Sequence, residues 1–330
     1  MRFLLEEASW GWDGSDRTAY IERIEQLLDR LDAARERGEA YAATRALLDQ
    51  TIFDAHTLYD LLWSQDAPLR LPSEVRQRVD ALFGTIRYWD DEMDWPAIDA
   101  TIAGKAVISP SGALAHARVS EGSATACIPL PGTWCGPCEV AVGGVVKRVH
   151  FVVDEASHRG FFRDALDVER VDGAGLAALA PHAFPDTFFL EGVWDGLRHF
   201  EGGYARVRDA LHRLLSVLDD HGAWTFTDQT GRLSPREPVP SGAAAVPVTN
   251  QLIERRFRGW GLEIAPENPN VRADGECRRA RERKLGSRTL YCEWHYKLEP
   301  HINRAHIHPP VPESGGKVIV AIFRDHLQLP

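Results

Sequence analysis

The chain has 330 residues, of which 44% are hydrophobic and 26% charged, and its formal net charge is -10. This composition excludes collagen-like and disordered proteins, and the length is sufficient for two or three domains with a sizeable core. Five scattered cysteines, an odd number, are unlike a secreted disulfide framework. No apolar run reaches the roughly 18 to 20 residues that span a bilayer, and the start MRFLLEEASWGWDG is too acidic for a signal peptide. We therefore expect a cytoplasmic protein with reduced thiols and no membrane partner.

Basic residues are concentrated in the last quarter of the chain. Residues 248–330 carry 14 Lys and Arg against 10 Asp and Glu, whereas residues 1–247 carry 24 against 38. Such an asymmetry indicates that an anionic partner, for example a nucleic acid, binds the C-terminal segment.

The first ninety residues show the periodicity of helices. Apolar residues at helical spacing follow the capping-type cluster DGSD and end before Gly38, which stands in a C-cap position. The pattern predicts a second helix from about Tyr41 to Trp63 and a third that begins near Ser73. We therefore expect an N-terminal helical layer over residues 1–100.

From about Ile102 the pattern changes to short apolar runs separated by Gly and Pro, which is typical of strands with tight turns. Two valine-rich runs in CEVAVGGVVKRVHFVVD flank Gly143-Gly144 and predict a β-hairpin. Helices are predicted again at SHRGFFRDALDVE and from Tyr204 to Asp220, and the stretch SPREPVPSGAAAVPV has the composition of a linker.

Together these patterns predict an α+β protein built from four segments. The helical layer of residues 1–100 is followed by a central mixed α/β domain at 101–233 that contains the hairpin. A linker at 234–247 then leads to a small antiparallel basic sheet at 248–330.

The stretch GTWCGPCEV contains Trp-Cys-Gly-Pro-Cys, the sequence of the thioredoxin redox centre. In a thioredoxin the first cysteine lies where a helix begins, because the helix N-terminus lowers the thiol pKa. The residues EVAVGG after Cys138 favour a strand instead, so a turn with ordinary thiols at Cys135 and Cys138 is the favoured interpretation. A zinc site, which would need further ligands, and a redox centre remain the alternatives.

The segment TLYCEWHYKLEPHINRAHIHPPVPESGGKVIVAIFRDHLQLP carries the strongest functional pattern. A period of two places His295 and Lys297 on the polar face of one strand. The same period places Arg304, His306 and His308 on the polar face of the next. The run KVIVAIF predicts a third strand, buried on both faces, before Arg324 and His326. Successive strands usually pair, so an antiparallel meander would gather these groups on one solvated face.

A face of this kind has the groups needed to cleave RNA without a metal or cofactor. Arg and Lys bind phosphate oxygens, and imidazoles serve as general base and acid near neutral pH. The predicted catalytic residues are His295, Lys297, Arg304, His306 and His326. The predicted nucleic-acid contacts are Arg255, Arg256, Arg278, Arg279, Arg283, Lys284, His308 and Arg324.

The arrangement WHYKL, NRAHIH and GKVIVAIFRDHL resembles the closing strands of the RelE/HigB-like toxin fold, in which a small basic sheet cleaves messenger RNA. The resemblance covers at most residues 248–330. It implies catalytic roles for Arg304 and His326 and a phosphate contact at Lys297. It also implies that the basic segments IERRFRG and CRRARERKLGSR form helices that pack on the sheet.

Two other functions are compatible with the sequence. The same basic face would suit a non-catalytic subunit that binds nucleic acid or a protein partner, for example in a microbial defence complex. A metal site is the other alternative, because His306 and His308 lie on one side of a strand and Glu313 follows. In the ribonuclease hypothesis, the acidic residues 1–247 would shield the basic surface.

Overall fold

The computed structural model describes residues 2–64, 69–91, 99–239, 241–242 and 244–330. The chain divides into two compact units, Met1–Arg170 and Val171–Pro330. The predicted boundaries at 100/101, 233/234 and 247/248 do not coincide with this division. Strands from both sides of residue 100 share one sheet, and a strand before the predicted linker pairs with the last strand of the chain. Residues 240 and 243 of the predicted linker lie outside the described residues.

The first unit begins with a strand and alternates strands with helices. Its strands are β1 (Phe3–Leu5), β2 (Tyr41–Ala43), β3 (Thr51–Phe53), β4 (His56–Thr57), β5 (Arg87–Tyr88), β6 (Asp99–Ile102), β7 (Lys105–Ile108), β8 (Ala126–Ile128), β9 (Gly136–Val142) and β10 (Val145–Phe151). Its helices are α1 (Arg17–Glu36), α2 (Leu58–Trp63), α3 (Ser73–Thr85), α4 (Pro110–Ser120) and α5 (Glu155–Val168).

One eight-stranded sheet with the order β5-β2-β1-β8-β10-β9-β6-β7 organises this unit. The strands from β5 to β10 in this order are parallel, whereas β9, β6 and β7 are antiparallel to their neighbours. Strand β1 lies in the middle of the parallel part and is fully buried, consistent with its uninterrupted apolar sequence FLL.

The predicted helices of the first unit are confirmed at three places and wrong at one. Helix α1 has the Asp16 side chain as its N-cap, and α3 and α5 also begin close to their predicted positions. The predicted helix from Tyr41 to Trp63 is wrong, because the segment contains β2, β3, β4 and a short 3-10 helix at Arg45–Leu47, and α2 is its only α-helix. Residues 1–100 therefore contribute strands to the sheet as well as helices.

The predicted hairpin is confirmed. Strands β9 and β10 pair antiparallel, with Val142 opposite Val145, and the turn lies at Gly143 and Gly144. Their φ angles are 58° and 80°, which a two-residue hairpin turn of this type requires and glycine adopts without strain.

The second unit places helices before and between the strands of a smaller sheet. Its helices are α6 (Gly173–Ala183), α7 (Tyr204–Val217), α8 (Ala223–Thr227), α9 (Asn250–Gly259), α10 (Pro269–Ala273) and α11 (Gly275–Arg281). Its strands are β11 (Thr187–Phe189), β12 (Ile264–Pro266), β13 (Glu282–Leu285), β14 (Arg288–Tyr291), β15 (Trp294–Lys297), β16 (Arg304–His308) and β17 (Val318–Arg324).

The main sheet of this unit has the order β11-β17-β16-β15-β12. It is antiparallel except where β11 runs parallel to β17. Strands β13 and β14 form a separate two-stranded ribbon. The protein thus has the predicted α+β fold, with helices and several sheets, including small antiparallel ones. None of the helices in the described ranges is long and apolar enough to cross a membrane.

Two buried carboxyl groups, Glu6 and Glu7, follow the end of β1. Glu6 accepts hydrogen bonds from the backbone N–H groups of Ala8 and Ser9, both at 2.8 Å. Glu7 accepts hydrogen bonds from the Ser111 hydroxyl and backbone N–H at the start of α4. Burial and the adjacent Glu6 charge raise the pKa of Glu7 to about 8. Glu7 is therefore mainly protonated at neutral pH.

We predict that Glu7 makes the protein less stable as the pH rises. Its pKa is about 8 when folded and 4.5 in its unperturbed state, so the folded form holds the extra proton between these values. The stability it contributes is complete below pH 4.5 and is lost as the pH rises through 8. Part of the fall in unfolding free energy between pH 5.5 and 7.5 comes from Glu7. In Glu7→Gln this fall should be smaller by about 2 kcal/mol, as measured by urea unfolding.

The exposed Glu22 of α1 provides the control for this measurement. Glu22→Gln should leave the pH dependence of the wild-type protein unchanged. An identical pH dependence in Glu7→Gln and wild-type protein would show that Glu7 is not protonated in the folded state.

Candidate functional site

The three C-terminal strands form the predicted antiparallel meander. In its register His295 lies opposite His306, and Lys297 lies opposite Arg304. Arg304 in turn lies opposite Arg324 on the third strand. Residues directly opposite each other in paired strands point to the same side of the sheet, so these five side chains share one face.

A buried ion pair covers the middle of this face. Strand β12 pairs with β15 so that Ala265 lies opposite His295, and Glu267 comes two residues after Ala265. The Arg281 Nε at the end of α11 donates a hydrogen bond to Glu267 Oε1 at 2.7 Å. The exposed fractions of the two side chains are 0% for Arg281 and 5% for Glu267.

Both imidazoles lie beside the Glu267 carboxylate. Glu267 Oε1 is 3.7 Å from His295 Nδ1 and 3.9 Å from His306 Nδ1. The two ring centroids are 5.5 Å apart. His306 Nδ1 is also 3.3 Å from the Cys292 carbonyl oxygen. We name these five residues, Glu267, Arg281, His295, Arg304 and His306, the buried cluster.

The expectation of a solvated cationic face is wrong for the middle of the sheet. His306 is fully buried, and His295 and Arg304 are only 8% and 9% exposed. Burial lowers the pKa of His306 well below its usual range. Burial also lowers the pKa of His295, although the Glu267 carboxylate opposes this shift. Both rings are therefore mainly neutral at pH 7, and burial makes protonation of either ring unfavourable.

The buried cluster contains polar atoms that lack hydrogen-bond partners. Among the described residues, no partner is present for the buried nitrogens Arg304 Nε, Arg281 Nη2, His306 Nε2 and His295 Nδ1. Most buried polar atoms in proteins are hydrogen-bonded, and each orphaned one costs roughly 1–3 kcal/mol. Four such atoms in one cluster make it a candidate site for ordered water or a ligand.

The charge of the cluster favours an anion over a metal ion. The donor atoms of Glu267, His295 and His306 lie within 4.8 Å of one another, a geometry that would suit a divalent cation. However, Glu267 is the only carboxylate in the cluster, and two guanidinium groups already balance and exceed its charge. A divalent cation would add to this buried excess of positive charge, whereas an anion would offset it.

His308 and His326 do not belong to the buried cluster. Half-buried His308 directs its Nδ1 to the Pro309 carbonyl oxygen at 2.7 Å, and burial lowers its pKa. His308 does not belong to any group of possible metal ligands found among the described residues. The structure therefore does not support a metal site formed by His306, His308 and Glu313. His326 lies two residues beyond β17 and is half-buried, and no hydrogen bond or ion pair in the described ranges joins it to the cluster.

The predicted nucleic-acid contacts differ in their exposure. Those that are exposed are Arg255, Arg278, Arg279, Lys284 and Arg324. Half-buried Arg283 donates hydrogen bonds to the carbonyl oxygens of Ala280 and Glu282.

The prediction that Arg256 contacts nucleic acid is wrong, because this side chain is part of the core. Arg256 donates hydrogen bonds to the carbonyl oxygens of Arg232 and Thr225 and lies 4.4 Å from the Trp224 ring centroid. Its exposed fraction is 0%. The basic segment IERRFRG lies within helix α9, as predicted, but Arg256 is on its buried side.

Sequence reasoning missed Glu267 and Arg281, the ion pair at the centre of the cluster. Arg281 lies four residues after the buried Cys277, so both are on the same side of helix α11. This spacing was the available signal for Arg281. Glu267 reaches the cluster only because β12 pairs with β15 in a particular register, which nothing in the sequence specifies.

The Trp-Cys-Gly-Pro-Cys motif lies in a turn and the start of a strand, as predicted. Cys138 is within β9 and half-buried, Cys135 is exposed just before it, and both are free thiols. Burial raises the pKa of Cys138, which disfavours a thiolate at neutral pH. Neither cysteine belongs to the metal-ligand groups found among the described residues.

The chain matches no protein-family model, and no curated protein and no solved structure is significantly similar to it. The resemblance to the RelE/HigB-like fold therefore stays a prediction, and the function must be argued from the buried cluster itself.

We predict that His306 makes the protein less stable as the pH falls. Its pKa is well below the usual 6.5 when folded, so the unfolded chain binds the extra proton first. The stability that the neutral ring contributes is present above pH 6.5 and is lost as the pH falls below it. His306→Gln should reduce the loss of unfolding free energy between pH 7.5 and 5.5 by about 1 kcal/mol.

The exposed His301, in the turn that joins β15 to β16, is the matched control. His301→Gln should keep the full acid sensitivity. If His306→Gln also keeps it, the ring is protonated or solvated in the folded protein.

Proposed function

We propose that the second unit binds the phosphodiester backbone of RNA and cleaves it without a metal ion. The observation that carries this proposal is a row of three cations, Lys297, Arg304 and Arg324, opposite one another on three adjacent strands. His295 and His306 lie opposite each other two residues away along the same strands, and their imidazoles are on the same face as the cations.

The cationic row favours phosphate as its ligand. Like charges directly opposite each other destabilise a sheet, and an anion between them removes this penalty. Lys297 and Arg324 are exposed, whereas Arg304 between them has a buried Nε without a partner. A phosphate group at this row would accept hydrogen bonds from a guanidinium and neutralise its neighbours.

The imidazole row is within reach of such a phosphate. Residues two apart along a strand are about 6.6 Å apart, so a nucleotide bound at Arg304 would place its sugar near His295. We assign access to the ends of strands β15 and β17, where Lys297 and Arg324 are exposed, because His306 is fully buried. His295 is then the first imidazole that the substrate meets.

In the proposed reaction, His295 acts as the general base. Its neutral ring takes the proton of the 2′-hydroxyl, the 2′-oxygen forms a bond to phosphorus, and the bond from phosphorus to the 5′-oxygen breaks. The leaving oxygen takes a proton from water or from an imidazolium. Glu267, 3.7 Å from the His295 ring, stabilises the imidazolium that forms, and Arg304 stabilises the additional phosphate charge.

The substrate is RNA in this proposal because the attacking hydroxyl belongs to the nucleic acid itself. The resemblance to RelE/HigB-like toxins implies the same chemistry, with His326 as a further catalytic residue. An RNA substrate would also place the activity in the cytoplasm.

A second candidate function is binding of nucleic acid without turnover, as in a subunit of a defence complex. The burial of His306 and the exposed cations Arg255, Arg278, Arg279 and Lys284 favour it. A binding subunit would use the same cationic row but would not need neutral imidazoles.

We predict that His295→Gln and Arg304→Gln each reduce RNA cleavage at least 100-fold, because they remove the base and the phosphate ligand. The assay uses the full-length chain, labelled single-stranded RNA and an excess of EDTA. Arg236→Gln removes an exposed cation of the second unit that lies outside the cluster and outside the predicted nucleic-acid contacts, and it should change the rate less than twofold.

The second candidate function predicts a different result. If the wild-type chain binds RNA but does not cleave it, and only Arg304→Gln weakens binding, the protein is a binding subunit. Cleavage of an RNA in which the 2′-hydroxyl at the cut site is replaced by hydrogen would contradict the proposed attack.

A further inference from the structure

A cavity of about 330 Å³ lies within the first unit, independent of the buried cluster. Its walls come from α4, β10, α5 and the segment that precedes β8. Apolar residues such as Val119, Phe161 and Val168 contribute to its lining, and its polar groups include Thr125, His150 and Asp164. This size is at the lower end of the range for small-molecule sites, about 300–1,000 Å³.

An oriented histidine lines the cavity. His150 Nε2 is 2.6 Å from Asp164 Oδ2, and the carboxylate can only accept, so Nε2 carries the proton. In the neutral form of this ring, Nδ1 carries a lone pair. His150 is 7% exposed, and its buried Nδ1 has no hydrogen-bond partner among the described residues.

A buried hydroxyl lines the same cavity. Thr125 is 1% exposed, and its Oγ1 also lacks a partner in the described part of the chain. The next residue, Ala126, lies opposite His150 in the pairing of β8 with β10. Thr125 and His150 both line the cavity, so its wall contains an imidazole nitrogen and a hydroxyl that have no hydrogen-bond partner among the described residues.

The lining of the cavity carries charges of both signs. Burial raises the pKa of Asp164, but the hydrogen bond from His150 and the Arg148 charge lower it overall. Arg148 is 3.3 Å from Asp164, and 64% of its side chain is exposed. Asp167 is a second carboxylate in the lining, so the interior does not favour an anion, whereas Arg148 provides a cation at the rim.

We propose that this cavity binds the base of a nucleoside. A nucleobase has flat apolar faces for the aliphatic and Phe161 surfaces, an N–H or amino group for His150 Nδ1, and a ring or carbonyl acceptor for the Thr125 hydroxyl. The Arg148 guanidinium at the rim would contact a 5′-phosphate where one is present. This binding site goes beyond the proposed RNA cleavage and uses none of its residues.

The test is a titration of the full-length chain with the four ribonucleosides and their 5′-monophosphates, followed by calorimetry and thermal unfolding. We expect at least one nucleoside to bind with a Kd below 1 mM, a threshold on the order of the weakest useful small-molecule affinities. Arg148→Gln should weaken the monophosphate and leave the nucleoside unchanged. Equal effects on both would overturn the rim contact.

Thr125→Val separates ligand binding from folding. The substitution keeps the shape of the side chain and removes an unpaired buried hydroxyl, so the unfolding temperature of the free protein should stay equal or rise. The Kd for the nucleoside should increase at least fivefold, because one hydrogen bond is lost. An unchanged Kd would overturn the assignment of the hydroxyl.

His116 provides a matched control for His150, because it is also 7% exposed but its Nε2 donates a hydrogen bond to the Val145 carbonyl oxygen and it does not line the cavity. His116→Gln should lower the unfolding temperature without changing the Kd, whereas His150→Phe should abolish binding. The absence of binding by every nucleoside and monophosphate at 5 mM, roughly five times that weakest Kd, would overturn the proposal.

Discussion

The ion pair between Arg281 and Glu267 determines what the C-terminal sheet can do. It lies buried against the face that carries His295 and His306, and the Arg304 Nε has no hydrogen-bond partner among the described residues. Breaking a buried pair by removing one partner is costly, so this arrangement is fixed in the folded unit. We propose that the remaining positive charge suits the site to a phosphate group.

Burial changes the chemistry that the sequence pattern first indicated. A solvated face of histidines would hold partly protonated rings, able to act as acid or base. In the folded protein, His306 and His295 are neutral because the charged form is poorly solvated. The cations differ in exposure: Lys297 and Arg324 are exposed and lie on either side of buried Arg304. The imidazoles of His295 and His306 are buried in the unit.

The sequence was sufficient for features that depend on local periodicity. The hairpin at Gly143-Gly144, helix α1 and the meander of the last three strands follow from spacing and turn chemistry. The failures occurred where long-range pairing overrides local pattern. Tyr41–Ala43 is a strand because it pairs with β1, and Glu267 reaches the imidazoles through the register of β12 with β15. Arg256 was misassigned because charge alone does not distinguish the two sides of a helix.

The most direct measurement is a crystal structure of the full-length chain with a short RNA that carries 2′-O-methyl groups and cannot be cleaved by internal attack. We expect a phosphate group within hydrogen-bonding distance of Arg304 Nε, with the adjacent ribose facing His295. A metal ion held by Glu267, His295 and His306, or RNA bound only away from the cationic row, would contradict the assignment of this cluster as a phosphate site.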